Sequence, residues 1–200
     1  MRYEPDYKAK TRAKVLAEAA KTMRAEGVQG MGVAAVMAKA GLTHGAFYAH
    51  FESKDDLIAE TIREMVLVAR GKFDAVTEGL APADALRAYV AFYLSARHRD
   101  NMESSCPLPW LAGEVPRLAG PSAKRYGATV AGLTELLAAR LRELRHADAE
   151  GAASSVVAEM VGALGLSRAV GDKAQSDAIL GRSRESILAR LGLPTPAATK

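Results

Sequence analysis

Residues 33–48 read VAAVMAKAGLTHGAFY, from Val33 to Tyr48. Val33, Val36, Ala40 and Phe47 place apolar side chains at helical spacing, and the pattern is interrupted once, at Gly41-Leu42-Thr43. The stretch therefore predicts two short helices joined by a tight turn. Gly41 supplies a left-handed backbone at the turn, Leu42 plugs the wedge between the helices, and Thr43 caps the second one. In that second helix, residues 44–50, the small Gly45 and Ala46 allow close approach of a partner and Phe47 turns inward. His44, Tyr48 and His50 are left outside, where they can donate to bases or phosphates of a nucleic-acid groove.

The flanks narrow the reading. Upstream, Thr11-Arg12 leads into an amphipathic segment that ends at Glu26-Gly27; downstream runs Tyr48-Ala49-His50-Phe51-Glu52-Ser53-Lys54-Asp55-Asp56-Leu57. Residues 45–57 follow the order Gly-Ala-(aromatic)-Tyr-x-(His/Tyr)-Phe-x-(Ser/Asn)-Lys-(Glu/Asp)-x-Leu. In this the chain resembles the TetR/AcrR family of transcriptional regulators, over residues 11–62, about a quarter of its length. Two positions depart from the family pattern. Met31 and Gly32 stand where a capping Thr or Ser is usual, so a phosphate contact there falls to the backbone N–H of Gly32. Met37 replaces a small Ala where the two helices cross.

Charge supports the same segment. Residues 1–50 carry eight Lys/Arg against four Asp/Glu, and the remaining residues carry nineteen of each, so all of the formal +4 lies with the helix-turn-helix. Such a local excess is an electrostatic footprint for a polyanion. Two hundred residues with 49% hydrophobic and 25% charged content specify a globular chain with a substantial core. No apolar run approaches the roughly 20 residues that span a bilayer, and the N-terminus lacks the apolar segment of a secretory signal. A cytoplasmic location and no membrane partner are expected. A single cysteine, Cys106, excludes an internal disulfide and cannot build a zinc knuckle, so no metal or other cofactor is expected.

Outward from the motif, residues 1–7 read as a short arm and residues 8–26 as a first helix. Its stripe is Val15, Leu16, Ala19, Ala20 and Met23, and Gly27 ends it. Ser53 and Asp56 form an acidic capping box for a helix over 54–78. Further helices are expected over 83–99, briefly over 110–114, and over 121–145, 148–171 and 172–192, with 194–200 a tail. No period-2 pattern occurs. The expected fold is all-α with about nine helices: a helix-turn-helix DNA-binding domain over 1–53, and a ligand-binding and dimerisation domain over 54–200.

The DNA contacts expected are Thr43, His44, Gly45 and Tyr48 in the reading head, with His50 and Lys54 on phosphates. One head specifies too few base pairs for a genome, so a homodimer on a near-palindromic operator is expected. The resemblance also implies that the last two helices form the partner surface, that residues 54–78 transmit a signal, and that the second domain binds a small-molecule effector. Phe92, Tyr93, Met102, Cys106, Trp110 and Tyr126 are the candidate lining of that site, with His98 or Arg125 orienting a polar group. Cys106, in a loop before Pro107, admits a second reading as an oxidant or electrophile sensor, with Arg97 or Arg99 favouring its thiolate. A DNA-binding protein without an effector is the third. The four histidines are scattered and no nucleophile-base spacing is recognisable, so no enzymatic activity is expected.

Overall fold

In the computed structural model, residues 5–103, 105–118 and 120–193 are described, the side chains of Pro5, Asp6 and Pro116 apart. Among them are nine α-helices, two 3-10 helices and no strand. In order these are α1 (Pro5–Gly30), α2 (Val33–Lys39), a 3-10 helix (His44–Ala49), α3 (Lys54–Thr77), α4 (Pro82–Tyr93), α5 (Ala96–Asp100), α6 (Leu108–Leu111), a second 3-10 helix (Val115–Arg117), α7 (Gly120–Glu143), α8 (Ala149–Ala169) and α9 (Lys173–Arg190). The all-α expectation holds. The tail expected at 194–200 lies outside the described residues.

The chain divides into two compact units. The first holds the described residues up to Leu67 together with Trp110–Gly127. Its core is the predicted stripe of α1 (Val15, Leu16, Ala19, Ala20, Met23) packed with Val36, Met37, Phe47, Phe51, Leu57, Ile58 and Ile62. α1 starts at Pro5, because proline costs a first helical turn nothing; residues 5–7 are therefore helix and not arm. At Gly27 the backbone adopts φ 73°, ψ 177°, a region essentially closed to other residues, and the regular helix stops there. The capping box forms at the start of α3. The Asp56 N–H donates to Ser53 Oγ at 3.1 Å, and the Asp56 carboxylate accepts the Glu52 N–H at 3.1 Å.

The second unit holds Val68–Pro109 and the described residues from Ala128 onward. α8 and α9 pack on each other, and α4 and α5 pack against them. Asp148 and Asp172 cap the pair by accepting the N–H groups of Gly151 and Gln175. The single helix expected over 83–99 is in fact two. Ser95 Oγ donates to the Phe92 carbonyl and accepts the His98 N–H, competing with the helical bonds at that point and capping α5. Arg168 of α8 then donates to the His98 and Arg99 carbonyls near the end of α5. Arg99, only 7% exposed, donates to Ser176 and Asp177 of α9. The short helix expected at 110–114 is shifted to Leu108–Leu111, and the helix expected over 121–145 runs from Gly120 to Glu143, leaving Leu144 exposed just beyond it.

Candidate functional site

The predicted turn is present. Gly41 has φ +73°, its N–H donates to the Ala38 carbonyl, and the Leu42 N–H donates to Met37. Leu42 packs half-buried on the core, while Val36 and Met37 are fully buried. After it, the second short helix expected over 44–50 is a 3-10 helix, His44–Ala49. Its i→i+3 bonds run from Ala46 N–H to Thr43 and from His50 N–H to Phe47. Thr43 occupies the N-cap position in extended backbone, but its side chain makes no capping bond. That corrects the expected role of Thr43 and leaves its hydroxyl uncommitted to the helix.

Phe47 anchors the segment. It is 2% exposed, stacks on Phe51 with ring centroids 5.6 Å apart, and meets Tyr48 edge-on at 5.2 Å. Tyr48 is 71% exposed, and Thr43, His44 and Gly45 are exposed with it. A Cβ placed on Gly45 meets nothing within 4 Å, so the surface there is low and open. His44 and Tyr48 lie edge to face at 6.5 Å. Lys54 is exposed in the first turn of α3; of the N–H groups around it, that of Asp56 is already taken by Ser53.

His50 is only half-exposed. Its Nδ1 is buried without a partner, and burial, followed by the Lys8 and Arg12 charges, holds its pKa below the usual histidine value. Near neutral pH it is therefore a neutral hydrogen-bonding group flanked by cations. Arg12 is committed elsewhere, bound to Glu60 at 2.9 Å and lying over the Phe51 ring at 4.9 Å. Glu60 gathers Arg12, Arg63 and Arg125; its desolvation is outweighed by the hydrogen bonds and charges of Arg12 and Arg63, which hold its carboxyl below the usual range.

The first unit contains anchors that local pattern could not show. The Glu114 carboxylate accepts the Val28 N–H at 2.6 Å, just after the break in α1. Asp55 of α3 accepts both the N–H and the hydroxyl of Ser122 at the start of α7. Trp110 and Tyr126 pack half-buried against the same core, with Leu111 fully inside it. They are thus side chains of the first unit. Of the six residues expected to line one effector cavity, Trp110 and Tyr126 therefore lie in that unit.

Phe92, Tyr93, Met102 and Cys106 belong to the second unit. There a cleft of about 210 Å³ is lined by Lys72, Ala75, Val76, Phe92, Arg97, His98 and Asn101. A smaller void of about 10 Å³ shares Lys72, Phe92 and His98 and adds Ala69, Tyr89, Tyr93 and Cys106. Met102, at the edge of exposure, lines neither. His98 is fixed as one tautomer: Nδ1 donates to the Tyr93 carbonyl at 2.8 Å and Nε2 accepts the Cys106 N–H at 3.1 Å. Burial lowers its pKa to about 4. Cys106 is 7% exposed and burial pushes its thiol up; the cation that opposes this is Arg168, not Arg97 or Arg99. The Tyr93 hydroxyl is buried with no hydrogen-bond partner, the thiol being near it but not in hydrogen-bond geometry.

Among the described residues no group of three or more His, Cys, Asp and Glu is placed to hold a metal ion, and no helix is long and apolar enough to cross a membrane.

Residues 15–61 match the family described as bacterial regulatory proteins, tetR family. No curated protein sequence matches the chain. The fold is similar to that of Escherichia coli NemR in its reduced form (20% identity, TM-score 0.77, 94% of this chain and 100% of that one). It is similar also to a TetR transcriptional regulator from Chloroflexus aurantiacus J-10-FL (22%, TM-score 0.79, 94% and 98%). A third likeness is to a TetR-family regulator from Cytophaga hutchinsonii (19%, TM-score 0.79, 95% and 98%). Residues 15–61 are thus similar to the tetR family of bacterial regulatory proteins, and the chain shares the all-α fold of the TetR-family regulators it resembles.

Proposed function

We propose that the protein is a homodimeric repressor that leaves its operator when a small molecule binds the second unit. The observation that carries this reading is the surface from Thr43 to Tyr48. It is exposed and low at Gly45, and it is held from beneath by the buried Phe47. Thr43, His44, Gly45 and Tyr48 read base edges, while His50 and Lys54 hold phosphates. Functionally, the reader lies within residues 1–53, supported by the rest of the first unit, and the second unit, Val68–Pro109 and the described residues from Ala128 onward, is the regulatory and dimerising part. The dimer forms through α8 and α9, where Leu166 is 61% exposed and Gly162 has open space before it. A twofold pair of heads about 34 Å apart, or a multiple of it, fits a near-palindromic duplex. Effector binding changes packing in the second unit and is transmitted along α3, the continuous helix that leads into it, so that the heads lose groove spacing. The reading requires no catalytic step or cofactor, and places the protein in the cytoplasm with its DNA.

The effector route is favoured over gating by Cys106 oxidation, because a buried thiol with a raised pKa is a poor nucleophile. Substitution of the reader tests the proposal. Lys54→Ala weakens binding to every sequence and lowers the salt slope by roughly one, whereas His44→Ala relaxes base preference. Equal losses on specific and random DNA for His44→Ala remove it from the reader.

A further inference from the structure

The 210 Å³ cleft of the second unit has an unusual charge balance. Its lining includes two cations, Lys72 and Arg97, and no carboxylate. The other arginines of α3, α4 and α5 are neutralised: Arg63 by Glu60, Arg70 by Asp74, Arg87 by Asp84, and Arg99 by Asp100 and Asp177. Among the described residues neither Lys72 nor Arg97 is in an ion pair. Two like charges facing one concave wall concentrate a positive field where an anion would sit. Of the remaining lining, Ala75, Val76 and Phe92 are apolar, and His98 and Asn101 are polar without charge. Phe92 stacks on the His98 ring at 5.2 Å and 23°, with Ala75 and Val76 beside them. His98 adds no charge, since both of its ring nitrogens are engaged by the backbone of Tyr93 and Cys106.

On this geometry we propose that the cleft is the effector site and takes a small organic carboxylate. Lys72 and Arg97 hold the carboxylate, and a flat apolar group lies on Phe92 and Val76. The volume is below the roughly 300–1,000 Å³ of sites for drug-sized ligands, which limits the occupant to a compact acid. The proposal rests on the effector reading above and specifies the chemistry that reading leaves open.

Calorimetric titration of the full chain with phenylacetate, benzoate and 2-naphthoate tests it, with phenylacetamide and acetate as controls. At least one aromatic acid binds, while the neutral amide and the acid without a ring each bind at least about tenfold more weakly. Lys72→Gln and Arg97→Gln each weaken the bound acid by about tenfold, with unchanged unfolding midpoints. Failure of all three acids to bind, equal binding of the amide, or indifference to both substitutions overturns the assignment. Inorganic phosphate binding as well as the acids marks a plain anion site and overturns the organic class. Operator release is measured separately. Binding of an acid without release leaves the site standing and removes the release reading, and release by neutral molecules alone does the reverse.

Discussion

Glu114 holds the backbone N–H of Val28 at 2.6 Å, across 86 residues of sequence, immediately after Gly27 turns through its left-handed conformation. A Cβ on Gly27 would meet the same carboxylate at 3.0 Å. Residues near the irregular middle of the chain thereby finish the end of α1 and become part of the first unit.

Loss of that contact is measurable. Glu114→Ala leaves the Val28 N–H without its charged acceptor and costs about 1–2 kcal/mol in urea unfolding. Gly27→Ala costs about 1–3 kcal/mol from its backbone conformation, and part of its cost is contact with Glu114. The double variant is therefore less unstable than the sum of the two. Strict additivity would show that the carboxylate does not crowd position 27.

His98 imposes a pH dependence. Its neutral ring is required, because protonated Nε2 cannot accept the Cys106 N–H. With a folded pKa of about 4 against 6.5 unfolded, the unfolded chain takes up the proton first as pH falls. Stability is therefore full above pH 6.5 and is lost progressively down to pH 4, by about 3 kcal/mol in all. Urea midpoints at pH 7, 5.5 and 4.5 for the native protein and His98→Gln isolate this contribution. The native protein loses more than the variant over that window, and parallel losses would refute the assignment.

Cys106 is predicted to be inert in the native state. Alkylation at pH 7.5 is at least about tenfold slower than in the urea-unfolded chain, as expected for a buried thiol whose pKa is raised. Cys106→Ser keeps operator binding and effector response. Native alkylation as fast as in the unfolded chain would return the thiol-gated reading to first place.

The helix-turn-helix was legible because its determinants are contiguous: Gly41, Leu42 and Phe47 each do in the fold what their spacing implies, and the capping box of Ser53 and Asp56 is local as well. Other features depend on partners distant in sequence. Nothing in residues 83–99 marks a break, since neither Gly nor Pro occurs there; Ser95 terminates the helix in concert with Arg168, seventy-odd positions away. Trp110 and Tyr126 read as pocket aromatics from their irregular surroundings, yet they pack on the core of α1 to α3. Lys72 carries no signal in the sequence, because a lone lysine on a long amphipathic helix looks like part of its solvated face. Only the placement of Arg97 beside it singles it out.

The central claim is that the surface from Thr43 to Tyr48 docks twice on one duplex. Genomic fragments selected by the full-length protein, followed by footprinting of the bound fragments, test it most directly. The expected result is a near-palindromic site with two protected major-groove faces about 34 Å or a multiple apart, and loss of that protection for Tyr48→Ala. Footprints without twofold symmetry that persist unchanged in Tyr48→Ala would contradict it.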